Sequence, residues 1–292
     1  MPIARTAEEA QSQLQGSEMD ALLKSIAIPP RPLVVEQLQR ELGKDEPDIR
    51  TAAQFVSQDV GLTVAVLKAV NSPLFGLNRK ADSVEQAVTM VGLRQLTQLV
   101  TALAVRQSLK GDAQTMARFY DTAAKRAYAM ARMARTTRLV DVGLAQTFGL
   151  FCDVGIPLLR QRFGNYVQTL QLANTDTTRS FTAVEQSVHN TDHALVGAMM
   201  GKAWSLPDTV CLAIRLHHDY EVFLDPKMPR DVTRLIAMGL VAETAIQRFA
   251  MLHSTSEWSK GGDYVAGALV LAPIEVEEWI EQIIEELAQG ID

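Results

Sequence analysis

The chain has 292 residues, of which 47% are hydrophobic and 21% charged. That is enough apolar content for one large packed domain or two smaller ones, and too much for a disordered chain. A net charge of −6 excludes a general attraction to nucleic acid or anionic membrane, although a local basic patch stays compatible with it. The two cysteines, Cys152 and Cys211, do not make a disulfide framework. The polar N-terminus, with Glu8 and Glu9, lacks the apolar run of a signal peptide. The longest apolar stretches, such as Val265 to Ile274, are too short to span a bilayer. No nucleic acid and no membrane insertion are therefore expected, and the expected location is cytoplasmic.

Residues 1–25 are polar and form an N-terminal arm, frayed or loosely helical. Three prolines in the next segment, Pro29, Pro30 and Pro32, hold it extended. A helix follows with Val34, Val35, Leu38 and Leu42 on one face, and Gly43 at its C-terminal cap. Asp48 caps a helix carrying Ile49, Ala52, Ala53 and Val56. Gln58 and Asp59 introduce a further helix that ends at Asn71-Ser72-Pro73, because Ser72 precedes proline. Phe75 to Arg79 is an exposed apolar loop, suited either to partner contact or to docking one lobe on the other.

Ser83 with Gln86 forms a capping-box pattern, and Gly92 splits the apolar stripe that follows into two helices. A long helix covers about 115–135. Its alanines, among them Ala123, Ala127 and Ala134, imply close helix packing. Its basic residues Lys125, Arg126, Arg132 and Arg135 mark a solvated face. Leu144 to Ile156 is apolar nearly all round, as a buried helix is. Thr182 with Glu185 makes a second capping box, Asn190 ends that helix in the left-handed conformation, and Thr191 or Asp192 caps the next. Further helices run from Pro207 through His218, over 230–253 and over 274–288, with a turn at Gly261-Gly262. No strand-like alternation, repeat or low-complexity tract is found. The chain is all-α.

All five histidines lie in the second half: His189, His193, His217, His218 and His253. His189 and His193 are four apart, but Asn190 and Asp192 signal a helix break between them. His217 and His218 are neighbours, pointing about 100° apart on a helix, so one is expected in the core and one at the surface. Asp153 sits in the apolar run from Phe148 to Gly155. A carboxylate there needs a hydrogen-bonding or charged partner. Cys152 is expected to be a small core hydrophobe, and no phosphate-cradling glycine loop is present.

These residues carry a family resemblance. The entry Ile28-Pro29-Pro30-Arg31-Pro32, the run Val56 to Leu62, the run Leu67 to Gly76 with Asn71-Ser72-Pro73, and Ser83 to Val88 leading into Val91-Gly92-Leu93 follow one order. Glu185, Asp192-His193, Trp204-Ser205-Leu206-Pro207 and His217-His218 continue it. Over about 26–220 the chain resembles HDOD proteins, signalling output domains related to HD-type metal-dependent phosphohydrolases.

The resemblance implies a two-lobed, multi-helical HD-like bundle, with an N-terminal lobe over 26–112 and a degenerate HD-like lobe over 113–292. It implies a non-catalytic bacterial signal-transduction role through protein contacts, with a sensor kinase, a response regulator or a cyclic-dinucleotide enzyme as partner, and no cofactor. An HD enzyme has an upstream histidine, a His-Asp doublet and a downstream aspartate. Here the doublet position reads Cys152-Asp153, the upstream helix reads Phe119 to Thr122, and the downstream region reads Leu235 to Leu240. The alternative is a metal-dependent phosphohydrolase acting on a nucleotide or cyclic dinucleotide, with Asp153, His193, His217 and His218 as residual metal ligands. The two alternatives divide on whether those four side chains converge. A third possibility is a cavity that binds a nucleotide without cleaving it, which Arg126 or Arg160 in its lining would favour.

Overall fold

The computed structural model describes residues 6–13, 26, 28–72, 75, 77, 79–251 and 256–289. Every regular element among them is helical. The chain forms two compact units. One is Pro30–Leu109, and the other is Lys110–Gln289 together with the segment ending at Pro29.

The smaller unit holds α1 Leu33–Leu42, α2 Ile49–Ser57, α3 Val60–Val70, α4 Val84–Val91 and α5 Leu93–Ser108. Short acceptors start these helices. Asp48, Asp59 and Ser83 each receive a backbone N–H from the first turn that follows, which satisfies one of the donors a helix start leaves open. Gly92 separates α4 from α5 at φ +86, a conformation that favours glycine. Val35, Leu38, Val56, Val66, Leu96 and Val100 are fully buried and form this unit's core. The Asn71 side chain accepts from the Ala81 N–H and donates to the Ala81 carbonyl at 2.7 and 2.9 Å. This pins together the two ends of the loop between α3 and α4. Within the motif from Phe75 to Arg79, Gly76 and Asn78 lie outside the described residues, while Phe75 and Leu77 are half-buried rather than exposed.

In the larger unit a short helix, Ala7–Gln13, buries Ala10 and Gln13, and Gln13 accepts from Arg215 Nε at 2.9 Å. The main elements are α6 Ala113–Thr137, α7 Val142–Phe151, α8 Gly155–Arg162, α9 Tyr166–Thr175, α10 Phe181–His189, α11 His193–Ala203 and α12 Asp208–Leu216. A 3-10 turn, Tyr220–Leu224, precedes α13 Arg230–Phe249, α14 Ser256–Leu269 and α15 Pro273–Ala288. The alanine face of α6 lies directly on α7: a Cβ added at Gly149 would come within 2.7 Å of the Ala127 backbone.

Several expectations need correction. Arg126 is not on a solvated face of α6: it is 5% exposed, because it shares the inward face with Ala123, Ala127 and Met130. Gly261-Gly262 is not a turn but lies inside α14, where a Cβ on Gly261 would strike the Tyr220 ring at 2.6 Å. Ser180, not Thr182, caps α10 by accepting from the Ala183 N–H. Thr182 is buried, and Glu185 is left free for other partners. The apolar stretch Val142–Arg162 is long and apolar enough to cross a membrane, yet it is broken between α7 and α8, and 67% of its most apolar window is buried in the unit.

Candidate functional site

The site begins where α7 ends. Cys152 closes α7, and Asp153 lies in the short turn leading to α8. Gly155 opens α8 hard against the start of α11, where a Cβ would sit 2.0 Å from the His193 carbonyl oxygen. The turn bearing Asp153 is thereby held beside His193. Asp192 caps α11, accepting from the Leu195 N–H at 2.7 Å, and this fixes where His193 emerges. α12 stops at Leu216, so His217 and His218 lie past the helix proper. The 100° rule of a continuing helix does not apply to them. Both rings turn inward, with side chains 11% and 13% exposed. The expectation of one core and one surface histidine is corrected on that ground.

Asp153, His193, His217 and His218 converge, each offering a ligand atom within 4.8 Å of the others. His189 does not join them; it bonds Thr169 and stacks on Phe163. His253 lies outside the described residues.

The hydrogen bonds assign the protons. His193 Nδ1 bonds Glu185 Oε2 at 2.7 Å, and its Nε2 lies 3.3 Å from His217 Nε2. His217 Nδ1 faces the Ile214 carbonyl at 2.7 Å and so must donate there, which leaves its Nε2 as an acceptor. Burial opposes a charge on His193, but Glu185 and then Asp153 outweigh it and lift its pKa to about 9. Burial and the neighbouring His218 push His217 down to about 4. His193 is thus the charged ring and donates to a neutral His217. Glu185, fully buried, also accepts from the Tyr166 hydroxyl. On the far side His218 Nδ1 bonds Glu257 Oε2 at 2.7 Å, and Tyr220 and Lys260 donate to the same carboxylate.

The other flank is built around Arg126. Its Nη2 lies 2.6 Å from Asp153 Oδ2 and 2.7 Å from Glu243 Oε2. Its Nη1 faces Cys152 Sγ at 2.6 Å. Burial alone would raise the Asp153 carboxyl, but the guanidinium beside it holds it well below the carboxylate range. Burial pushes the Cys152 thiol far up, so it remains protonated and a poor metal donor. Cys152 is buried as expected, but it also touches this ion cluster. Sequence reasoning missed Glu243 and assigned Arg126 to the wrong face. A charged residue one turn from Ala123 and Met130, on a helix whose alanines face inward, was the available signal.

Two cavities meet at the Arg126, Asp153 and Glu243 cluster. An inner one of about 190 Å³ is lined by the histidines, Phe148, Phe181 and Tyr220. An outer one of about 490 Å³ lies between the first half of α6 and α8, with Arg160 in its wall.

The family model described as the HDOD domain matches residues 28–220. The chain belongs to the HDOD family. An HDOD domain protein of Geobacter sulfurreducens shares 21% identity at a TM-score of 0.67, covering 98% of this chain and 96% of that one. A Shewanella amazonensis protein provisionally named a phosphohydrolase shares 18% identity at a TM-score of 0.70, covering 95% and 97%. A Marinobacter aquaeolei protein provisionally named for signal transduction shares 16% at a TM-score of 0.65, covering 96% and 63%. These likenesses establish the all-α HDOD fold. A Treponema pallidum protein is 25% identical over 223 residues, and the match covers 75% of this chain but 42% of that relative.

Proposed function

We propose that this HDOD protein is a non-catalytic signal-transduction module that acts through protein contacts, and that Arg126 closes its former catalytic centre. The observation that carries this reading is the bonding of the Arg126 guanidinium to Asp153, Glu243 and Cys152. α6, the Cys152-Asp153 doublet and α13 are where an HD enzyme gathers metal ligands. Here a fixed monovalent cation already pairs with both carboxylates at that point. A hard dinuclear site prefers imidazole and carboxylate, whereas this one offers a guanidinium and a protonated thiol. The donors on this flank do not fit a metal pair.

The neighbour named for signal transduction supports a signalling context. A sensor kinase, a response regulator or a cyclic-dinucleotide enzyme is the partner class this reading favours. Pull-downs from the native host with wild-type protein, followed by reconstitution with the purified candidate, test it. A complex of defined stoichiometry is expected. Turnover of phosphodiester substrates by the purified protein would contradict the reading.

A second reading rests on the convergence of Asp153, His193, His217 and His218. Imidazoles with one carboxylate suit a single borderline divalent cation, which these four residues would hold. Such an ion supplies Lewis acidity toward a phosphoryl oxygen. Against that, the Nε2 atoms of His193 and His217 already share a proton, and the Asp153 charge is already countered by Arg126.

A further inference from the structure

The two cavities differ in charge. The inner one sets Arg126 and the charged His193 against Asp153, Glu243 and Glu257, an excess of negative charge that suits no anion. The outer one is different. Thr115, Arg118, Phe119 and Thr122 recur at helical spacing along one face of α6 and form one wall. Arg160 and Gln161 at the end of α8 form the other, with Lys110 at the mouth. Its rim therefore carries Lys110, Arg118 and Arg160 against the single carboxylate of Asp112.

Arg160 is paired with Asp112 at 3.0 Å, whereas among the described residues neither Lys110 nor Arg118 has an ion-pair partner. Gln161 Nε2 donates to the Lys110 carbonyl at 2.6 Å. That bond and the Arg160–Asp112 pair tie the end of α8 to the start of α6, so the mouth is already formed. At the floor the two carboxylates around Arg126 outnumber its charge and turn an anion back toward the rim. Between rim and floor lie Phe119, Met116 and Leu170, an apolar and aromatic surface. A volume of about 490 Å³ is in the range of small-molecule sites.

We propose that this outer cavity is a binding site for a nucleoside phosphate, its phosphate held at the rim by Lys110, Arg118 and Arg160 and its base lying against Phe119 and Met116. The site would give the module a small-molecule input. It rests on its own lining and does not depend on whether the protein hydrolyses anything.

The test is calorimetric titration of the full chain with AMP, inorganic phosphate and adenosine, followed by assay of the AMP for released phosphate. AMP is expected to bind saturably, and tighter than either fragment by roughly tenfold, the effect of one good charge-assisted contact or of a stacked ring. Arg118→Glu should weaken AMP by about tenfold or more, while Arg135→Glu, an equal charge change at the other end of α6, should leave it within about twofold. Both positions are exposed, so unchanged helical circular dichroism is expected for each variant. No saturation by AMP at roughly 10 mM, equal loss in the two variants, or AMP no tighter than inorganic phosphate would overturn the proposal. Phosphate release from bound AMP would leave the site standing and remove the non-catalytic reading instead.

Discussion

Arg126 shows how one side chain sets the character of a buried site. Its charge lies between Asp153 and Glu243 in a place 5% exposed. Removing it leaves two carboxylates facing each other with little water, and breaking a buried pair in this way costs about 3–5 kcal/mol. Arg126→Ala is therefore expected to lower the free energy of unfolding by that order in urea titrations. Arg126→Ala combined with Asp153→Asn and Glu243→Gln should recover much of the loss. If the single substitution costs under about 1 kcal/mol, the cluster does not hold the site as described.

His193 gives a prediction with a definite pH window. Its folded pKa of about 9 lies above the ordinary histidine value. Its contribution is fully present below about pH 6.5 and lost as pH rises through 9. Wild-type protein should exceed His193→Gln in stability by about 1–3 kcal/mol near pH 6, and the gap should narrow by pH 9.5. A gap constant over that range would mean that His193 is neutral in the fold.

At the scale of elements, the site exists because helix ends meet there. α7 stops at Cys152, α8 starts on Gly155, α11 starts at His193, and α12 stops just before His217. Gly155→Ala would force a methyl onto the His193 carbonyl oxygen, and this contact is backbone, which cannot rotate away. A loss of at least about 2 kcal/mol is expected, with the inner cavity disturbed along with it. Ser180→Ala should cost about 1 kcal/mol as an N-cap. A neutral result at Ser180 would mean that its bond from the Ala183 N–H contributes little to stability.

The caps Asp48, Asp59, Asp192 and Asn190 were legible in the sequence because capping is local: it needs one side chain and the next turn. The second box was misplaced because Thr182 and Glu185 have the right spacing but the wrong burial, and Glu185 serves His193 and Tyr166. The inward turn of both His217 and His218 was hidden by the apolar periodicity, which gave no sign that α12 stops at Leu216. Gly261 and Gly262 suggest a turn by composition alone. The Tyr220 ring packed on α14 leaves no room for a side chain at Gly261, and the Trp258 ring crowds Gly262.

On the scale of the molecule, the all-α HDOD fold could be recognised in ordered motifs over about 26–220. The meaning of the centre could not, because it depends on α6 and α13, about 117 positions apart at the Arg126–Glu243 contact. No local pattern links those positions. Arg126→His with Cys152→His replaces the guanidinium and thiol by imidazoles beside Asp153 and Glu243. This double variant should bind manganese or zinc more tightly than the wild type, by about tenfold or more, read by calorimetry. No gain would mean that something other than Arg126 and Cys152 disfavours a metal there.

The most direct test of the central claim is the metal content of the protein purified without chelator, measured by elemental mass spectrometry beside Asp153→Ala. A centre closed by Arg126 predicts iron, manganese and zinc far below one ion per chain, with no difference between the two proteins. Near-stoichiometric metal that disappears in Asp153→Ala would contradict it, and would make the histidine cluster a working metal site.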